Sequence, residues 1–269
     1  MEIKASPPWL NEKHPNFERW KNASEISEDR GRFVKQIISG FIKCEQLNIL
    51  ELGSGEGGTA SVFSNNNNFI SLDINLVRLQ RQQDNLIRIN ADAQHLPFKH
   101  SSFDLIILQD VIEHIPDNNK LFHYLSGFLE KDGLIFLSTP NRLSLLNIIS
   151  DPHFGLPLIS LLKRGQIKEY FLPLFRKMDS SRKDIAQLLS LNDIITMSVE
   201  YEIFLNTKFA LSELIKGNKG VIWSSFHIKL LNFILRTGLD KLLLKIANDR
   251  VSFVNRFFTP AFYMILKRK

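Results

Sequence analysis

The sequence predicts an α/β fold in which helices cover both faces of a doubly wound, mainly parallel sheet. Two observations lead to this prediction. An apolar run at residues 49–52 passes directly into glycines at every second position, and further apolar runs recur at the interval that a strand, a helix and a strand need. The chain has 269 residues, 44% of them hydrophobic, so it can bury a full core as a single domain.

The glycines that follow the first predicted strand are Gly53, Gly55 and Gly57. Glycine tolerates the positive φ of a tight turn, and it lacks the side chain that would keep a ligand away from the main chain. The residues beyond can open a helix whose N-terminal amides face a bound group. Such a triplet is a weak signal alone, but its position after a buried strand predicts a ligand-binding turn.

A second predicted strand, residues 69–73, ends in Asp73, 22 residues after Glu51. A carboxylate at this strand end is placed to accept hydrogen bonds from the two hydroxyls of a ribose. Three more apolar runs predict strands at residues 86–89, 103–108 and 133–140. Polar or charged residues follow two of them, including Asp92 and Gln109.

In order and spacing, these elements resemble the class I S-adenosylmethionine-dependent methyltransferases, in particular the small-molecule (type 11) group that includes the ubiquinone and menaquinone biosynthesis enzymes. The resemblance covers roughly residues 45–140 and rests on the glycine turn after Glu51, on Asp73, on the loop from Asp92 to Phe98, on Phe103-Asp104 and on Glu113-His114. It implies a Rossmann-like, seven-stranded sheet whose last strand is antiparallel, with helical inserts that form a substrate lid.

The resemblance also implies a cofactor site for S-adenosylmethionine. Gly53, Gly55 and Gly57 would line its methionine part, Asp73 would hold the ribose, and Asp92 with Ala93 would contact the adenine. The backbone carbonyl of Gln109 would meet the ammonium group, and Glu51 would act through water or by orienting the glycine turn. The full predicted cofactor-binding set is Glu51, Gly53, Ser54, Gly55, Gly57, Asp73, Ile74, Asp92, Ala93 and Gln109.

His114 is the catalytic candidate, because the resemblance places it near the reacting methyl group. A neutral imidazole there could take a proton from a substrate hydroxyl, although a structural role, closing a helix start beside the cleft, is the favoured interpretation. The other histidines do not show metal-ligand spacing, so no metal is predicted. The single cysteine, Cys44, excludes an internal disulfide and favours a reducing compartment.

The chain divides into four predicted parts of one structural domain. Residues 1–44 form an N-terminal lid and a first helix, in which Ser27 is expected to cap the first turn. Residues 45–142 form the cofactor-binding core, and residues 143–178 form an apolar lid insert of short helices broken near Pro152 and Pro157. Residues 179–269 complete the sheet: a helix at 181–189, a strand-rich run at 194–205 and a last strand at 261–266.

The C-terminal part also carries a predicted insert at residues 206–259, whose stretch 226–246 is amphipathic, basic and helical, with an interruption at Gly238. Charge is divided unevenly along the chain. Residues 1–150 hold 15 Lys and Arg against 18 Asp and Glu, whereas residues 151–269 hold 19 against 10, a balance of +9. A basic half suits an anionic substrate, an anionic membrane surface or RNA. The alternative is a solvated surface with scattered lysines that binds no particular partner.

We therefore expect an S-adenosylmethionine-dependent methyltransferase whose acceptor is a small molecule, a lipid-linked compound or a glycan. An RNA methyltransferase and a non-catalytic, methyltransferase-like membrane or partner-binding protein are the alternatives. A nicotinamide-dependent dehydrogenase also uses a glycine turn followed by an acidic strand end, but it fits less well because the downstream loop with Asp92 and Ala93 has no place in that fold. No signal peptide is apparent, so the expected location is cytoplasmic, with peripheral contact at the inner membrane face as the second possibility. Nucleic acid is not expected as a partner, and the oligomeric state is left open.

Overall fold

The computed structural model describes residues 25–83, 86–180, 185–221 and 225–269, together with Glu12, Lys13, Phe17 and Lys21. Within these residues one seven-stranded sheet has the order β3-β2-β1-β4-β5-β7-β6. The strands are β1 Asn48–Leu52, β2 Asn68–Asp73, β3 Ile87–Asn90, β4 Phe103–Gln109, β5 Leu129–Pro140, β6 Tyr201–Leu205 and β7 Ala261–Arg268.

The first five strands pair in parallel, and β7 is antiparallel to both β5 and β6. This topology confirms the predicted fold class, including the antiparallel last strand. The carboxyl ends of parallel strands meet at one edge of a sheet, so the turns after β1, β2 and β4 come together. That edge holds most of the residues that the sequence pointed to.

Helices cover the sheet and build the inserts. They are α1 Ser27–Ile38, α2 Gly58–Phe63, α3 Leu76–Leu79, α4 Asn118–Phe128, α5 Leu145–Ile149, α6 Arg164–Gln166, α7 Leu172–Phe175, α8 Leu191–Met197, α9 Thr207–Ile215, α10 Ser225–Thr237, α11 Leu239–Ile246 and α12 Phe253–Phe257. A π-helical turn, Ile167–Phe171, joins α6 to α7. None of the helices in the described residues combines the length and apolarity needed to cross a bilayer.

The core has two layers, one on each face of the sheet. Leu50 and Leu137 belong to one layer and Ile49 and Phe136 to the other, as the alternation of side chains along a strand requires. All four side chains are 0% exposed. The lid insert has a separate small core of its own, formed by Phe154, Ile159, Ile167, Phe171, Leu172 and Ile185.

Helix α1 crosses α2 without any side chain between the two backbones. A Cβ added to Gly31 would lie 2.6 Å from the carbonyl oxygen of Gly58, and one added to Gly58 would lie 2.3 Å from the carbonyl carbon of Ser27. The prediction that Ser27 caps α1 is wrong. Ile26 occupies the N-cap position and no side chain makes a capping hydrogen bond there, because Ser27 is already inside the helix and backed against α2.

The chain between the lid insert and β6 differs from its prediction. Residues 181–184 lie outside the described residues, and residues 185–189 are not helical; Leu189 instead forms an isolated parallel bridge with Asn141. The helix here is α8, so the predicted strand-rich run begins too early. Ser190 and Asp193 make a reciprocal capping box, in which Asp193 N donates to Ser190 Oγ (3.2 Å) and Ser190 N to Asp193 Oδ2 (2.8 Å). This box starts a helix through residues whose side chains favour a strand.

The two inserts follow the predicted pattern. The first breaks into α5 and a 3-10 turn, Ile159–Leu161, on either side of Pro152 and Pro157. The second carries α10 and α11, which are separated by Gly238 with a φ of +70°. Their apolar side chains are largely on the surface: Ile228, Phe233, Leu235, Leu239, Leu242, Leu244 and Ile246 are each at least 38% exposed.

Candidate functional site

The glycine turn lies at the carboxyl edge of β1 and uses left-handed backbone at all three glycines. The φ values are +66° at Gly53, +54° at Gly55 and +80° at Gly57. A Cβ on Gly53 would lie 2.4 Å from Val111 Cγ2, and one on Gly57 would lie 2.9 Å from Gln82 Cγ. These two glycines therefore make room for the protein's own side chains.

Gly55 is different, because a Cβ added there meets nothing closer than 3.9 Å. Of the three glycines, this one alone leaves open space in front of the turn. The sequence predicted that all three would clear space for a ligand. In the structure only Gly55 leaves open space, whereas Gly53 and Gly57 make room for Val111 and Gln82; contact of any of the three with a ligand stays a prediction.

Asp73 at the end of β2 is tied to the glycine turn. Gly55 N donates to Asp73 Oδ2 (2.8 Å) and Asn75 N donates to Oδ1 (2.7 Å), so the carboxylate is fixed by two backbone amides. Each carboxylate oxygen can accept a further hydrogen bond. Ile74, the next residue, is 70% exposed, and its side chain is available for contact with a flat apolar surface.

Two buried side chains, Ser54 and Gln82, support the glycine turn through hydrogen bonds. Gln82 Nε2 donates both to Ser54 Oγ (2.9 Å) and to the carbonyl oxygen of Gly55 (2.9 Å). Both side chains are buried, Ser54 at 7% and Gln82 at 5% exposed. Ser54, which was predicted to contact the cofactor, thus contributes to the internal support of the turn. Gln82 was missed, since a glutamine in a polar stretch gives no sequence signal.

Glu51 lies in β1 just before the turn and is 3% exposed. Burial raises the pKa of its carboxyl from 4.5 to about 8, and the nearby negative charge of Asp73 acts in the same direction. Its Oε2 atom is buried without a hydrogen-bond partner among the described residues. The buried Oε2 atom of Glu51 is suited to accept a hydrogen bond from a bound group, and the carboxylate form would pair with a positively charged one.

The end of β4 faces the glycine turn. Thr59 Oγ1 donates to Gln109 Oε1 (3.2 Å), which links α2 to the strand. The next residue, Asp110, has a φ of +55°, a conformation that non-glycine residues rarely adopt. It is held by Ser138, whose Oγ donates to Asp110 Oδ1 (3.0 Å), and by an ion pair with Arg30 from α1. Arg30 was not predicted as a site residue.

Asp92 and Ala93 form the loop after β3. Asp92 Oδ1 accepts from Gln94 N (2.9 Å), so the carboxylate closes a local turn. Ala93 packs, partly buried, against the core layer that contains Leu72. The loop therefore has a fixed backbone, and β3 places it beside the end of β2, where Asp73 lies.

Glu113 and His114 lie in the 3-10 turn Ile112–His114 that follows β4. Glu113 is 0% exposed, and Thr139 Oγ1 donates to its Oε2 (2.9 Å). Burial, reinforced by the charge of Asp110, raises the pKa of Glu113 to about 8. The other carboxylate oxygen, Oε1, lies 4.0 Å from His153 Nε2 in the lid insert, and the rings of His114 and His153 are 5.3 Å apart.

The lid insert is fastened to this turn. Arg164 Nη2 donates to the carbonyl oxygens of Glu113 (2.8 Å) and Ile115 (3.2 Å), and Gln187 N donates to the Glu113 carbonyl (2.8 Å). Burial lowers the pKa of Arg164 from its ordinary value. His153 was predicted to be unrelated to the other histidines. The insert brings it to Glu113 and His114, a proximity that spacing along the sequence could not show.

The structure thus gathers the predicted residues Glu51, Gly53, Ser54, Gly55, Gly57, Asp73 and Gln109 around one turn. Ile74 continues the end of β2, and Asp92 with Ala93 follows the adjacent β3. Contact of any of these residues with a cofactor, and a catalytic role for His114, remain predictions.

Comparison with known proteins identifies the sheet region. Residues 50–137 match the family model described as a methyltransferase domain. A probable S-adenosylmethionine-dependent methyltransferase of Mycobacterium tuberculosis is 27% identical over 106 residues, which are 38% of this chain and 39% of that protein. Phosphoethanolamine N-methyltransferase 2 of Caenorhabditis elegans is 30% identical over 100 residues, 34% of this chain and 23% of that one.

An uncharacterized protein of Methanocaldococcus jannaschii is 27% identical over 140 residues, 51% of this chain and 60% of its own length. The matches thus span less than two thirds of the length of each of these relatives. Among solved structures, an S-adenosylmethionine-dependent methyltransferase of Mesorhizobium loti superposes with a TM-score of 0.54 at 15% identity, over 87% of this chain and 96% of that one. This likeness shows the shared fold.

Proposed function

Residues 50–137 form a class I S-adenosylmethionine-dependent methyltransferase domain, and from this premise we propose that the chain methylates a small-molecule, lipid-linked or glycan acceptor. The observation that carries the proposal is the glycine turn with its single open position. Gly55 leaves open space at the turn, and its backbone amide donates to the carboxylate of Asp73 at the end of the neighbouring strand. The lid insert, which is fastened beside this edge, supplies walls for an acceptor.

The residues present fit S-adenosylmethionine. Gly55 opens a cradle that any larger side chain would fill, and Asp73 has acceptor capacity left for ribose hydroxyls. The buried carboxyl of Glu51 suits the positively charged methionine end, and exposed Ile74 suits the adenine face. Asp92, Ala93 and the carbonyl of Gln109 complete the proposed set.

When bound, the cofactor supplies a methyl group already activated by positive sulfur. The protein's task is therefore to hold the acceptor in line with the methyl group and to exclude water. The apolar insert over the Glu113-His114 turn is suited to both tasks. A proton from a hydroxyl acceptor could pass to His114, which lies in the 3-10 turn between β4 and α4.

Calorimetry tests the cofactor assignment. S-adenosylmethionine and S-adenosylhomocysteine should both bind, and nicotinamide dinucleotide should not. Asp73→Ala should weaken binding by about 1.5–3 kcal/mol, the range for hydrogen bonds to a charged group. Asp104→Ala is the matched control, because Asp104 also accepts from a backbone amide, Asn48 N at 2.8 Å, but from the start of β4 at the opposite edge.

If nicotinamide dinucleotide binds and S-adenosylmethionine does not, the proposal is wrong. Transfer of labelled methyl from S-adenosylmethionine to extracted lipids and metabolites then separates an enzyme from a non-catalytic binding protein. Binding without transfer to any lipid, metabolite or RNA fraction would support the non-catalytic alternative. Transfer to RNA would overturn the small-molecule assignment.

We further propose that α10 and α11 contact an anionic membrane surface. Exposed apolar side chains, among them Phe233 and Leu242, lie on the same two helices as Lys229, Arg236, Lys241 and Lys245. Apolar groups can enter the lipid interface while lysines are attracted to anionic headgroups, and together they produce reversible, salt-sensitive binding. This surface chemistry favours a lipid-linked acceptor over a freely diffusing one.

Sedimentation with vesicles tests the membrane contact. The protein should associate with vesicles of anionic lipid at low salt, less at high salt, and weakly with neutral vesicles. The double variant Phe233→Glu/Leu242→Glu should lose association, whereas Val199→Glu, at a site that is 62% exposed outside the inserts, should keep it. Equal behaviour of the two variants would exclude α10 and α11 as the contact.

A further inference from the structure

We propose that Glu113, His114 and His153 form a binding site for one divalent transition-metal ion, such as Zn²⁺ or Mn²⁺. Each residue offers one ligand atom, and the three atoms lie within 4.8 Å of one another. Two histidine nitrogens and one carboxylate oxygen are a common catalytic ligand set for such ions, which leaves further coordination positions for water or substrate.

The distances are compatible with a bound ion after small side-chain movements. Ligand atoms at bond lengths of 2.0–2.2 Å from a metal lie about 2.8–4.4 Å apart, for angles at the metal from about 90° to about 180°. Glu113 Oε1 and His153 Nε2 are 4.0 Å apart, too far for a hydrogen bond but within this range. The rings of His114 and His153 meet edge to face, at an interplanar angle of 75°, so neither blocks the other from a shared point.

Glu113 provides the second, independent argument. The residue is 0% exposed, and although Thr139 donates to Oε2, Oε1 is buried without a hydrogen-bond partner among the described residues. Buried polar atoms in folded proteins are nearly always satisfied, and a lone one on a carboxylate calls for a missing partner. A cation at the point between Oε1 and the two histidines would be that partner.

Hydrogen bonds fix both segments that carry the three ligands, the turn with Glu113 and His114 and the lid segment with His153. Arg164 and Gln187 fix the backbone of the 113–115 turn. The segment that carries His153 is fixed by Asp151, whose Oδ1 accepts from His153 N (2.8 Å) and from Phe154 N (2.9 Å). The site thus joins the sheet to the lid insert, and it would form only when the insert is docked.

An ion here would have a chemical use that rests on the proposed methyltransferase function. A hydroxyl that coordinates a divalent cation loses its proton to water more readily, so an oxygen acceptor could be activated without a strong general base. The oxygen would form a bond to the methyl carbon as the carbon–sulfur bond breaks, which leaves S-adenosylhomocysteine and one proton in solvent. His114 would then hold the ion and would not itself take the proton. The acceptor implied by this arrangement carries an oxygen nucleophile, such as a phenol, an enol or a sugar hydroxyl.

The experiment uses the full chain, stripped of metal with a chelator and titrated with Zn²⁺ or Mn²⁺ alone by equilibrium dialysis. One ion should bind per chain, and Mg²⁺, which prefers oxygen ligands, should bind more weakly. His153→Ala should weaken binding at least about 100-fold, the upper range for changes around a metal site. His123→Ala is the matched control, because His123 also faces a carboxylate, Glu200 at 3.5 Å, but is 75% exposed outside the lid insert.

Calorimetry with S-adenosylmethionine on the same proteins shows whether a variant is folded. It also separates failure of the metal site from failure of the proposed methyltransferase function. His153→Ala should keep cofactor affinity while losing the metal. Stoichiometric metal binding without cofactor binding would support this site and contradict the proposed function. Cofactor binding without any stoichiometric metal, or equal metal affinity in His153→Ala and wild type, would overturn the metal site and leave the methyltransferase proposal standing.

Discussion

In the sheet, Ile49, Leu50 and Phe136 are 0% exposed, whereas in α10 and α11 Phe233 and Leu242 expose 58% and 52% of their surfaces. The lid insert resembles the second region, since Leu174 and Phe175 expose 74% and 63%. Both regions are rich in apolar residues. The sheet region buries them in two layers, whereas α10 and α11 expose most of theirs and the lid insert combines a small buried core with exposed residues such as Leu174 and Phe175. Clusters of exposed apolar side chains are the basis for the contact with lipid proposed above.

The difference also concerns what each region contributes to function. The sheet region holds the glycine turn and the carboxylates. Separate hydrogen bonds join Gly55 to Asp73, Thr59 to Gln109 and Ser138 to Asp110. The inserts add the apolar surface, and the first adds His153. Under the proposed function, the sheet region would hold the cofactor and the inserts would select the acceptor.

Truncating one phenylalanine in each region should show the largest difference in the free energy of unfolding, and it tests whether the two regions differ in packing. Phe136→Ala should lower the free energy of unfolding by about 3–5 kcal/mol, because it leaves a cavity in a close-packed layer. Phe233→Ala should change it by no more than about 0.5 kcal/mol, as expected for a surface site. Denaturant unfolding measures both. A loss of several kcal/mol at Phe233 would mean that α10 packs on the domain.

Glycine substitutions test whether the turn in the sheet region binds the cofactor. Gly55→Val should weaken S-adenosylmethionine binding at least about 100-fold, because the side chain would occupy the open space before the turn and disfavour its positive φ. Gly217→Val is a matched control: Gly217 has a φ of +80° and open space around it, but it lies after α9. Both should show similar losses of melting temperature.

Normal cofactor affinity in Gly55→Val, measured by calorimetry on folded protein, would remove the glycine turn from the cofactor site. Loss of affinity in Gly217→Val would show that backbone strain acts at a distance.

The buried carboxyls predict a dependence of stability on pH. The pKa of Glu51 is about 8 in the folded protein and near 4.5 when unfolded, so the folded state keeps a proton that the unfolded state has released. Stability should therefore fall as pH rises from about 5 to 8, by at most about 1.4 kcal/mol per pH unit for this group. Glu51→Gln should flatten the slope in denaturant titrations, leaving the contribution of Glu113. Equal slopes would contradict the assignment.

Two serines give the smallest expected effect. Ser190→Ala should cost about 1 kcal/mol, because Ser190 caps α8 through Asp193 N. Ser27→Ala should change stability by only a few tenths of a kcal/mol, because Ser27 makes no capping hydrogen bond in α1. Thermal melting of the two variants compares them directly, and a larger shift for Ser27→Ala would restore it as a cap.

Much of the sheet could be predicted, because glycines, prolines and apolar runs there obey local rules. Strands β1, β2, β4 and β7 lie where the apolar pattern predicted them, and the helix break at Gly238 was also predicted. The start of α8 was not, since β-branched Ile194, Ile195 and Thr196 favour a strand and the Ser190–Asp193 hydrogen bonds override that preference. Local propensity is a weak guide where a capping box competes with it.

The candidate site shows the same limit. The glycine turn and Asp73 form a motif that is readable in sequence, and they lie together in the structure. Gln82 and Arg30 support the site through contacts that depend on how α1 and the segment after α3 pack. His153 reaches Glu113 only because the insert folds back over the turn, 40 residues later in the chain. Spatial neighbours of this kind have no regular spacing.

Because α1 crosses close over α2, a single methyl group added to α1 would affect the candidate site, although it would not contact a bound ligand. Alanine at Gly31 would force its Cβ against the Gly58 carbonyl and wedge the two helices apart. Arg30, the preceding residue, would be carried outward with α1, and its ion pair with Asp110 would be stretched. The strained turn at Asp110 would then lose one of its supports, so the shape of the β4 end depends on the absence of a side chain one helix away.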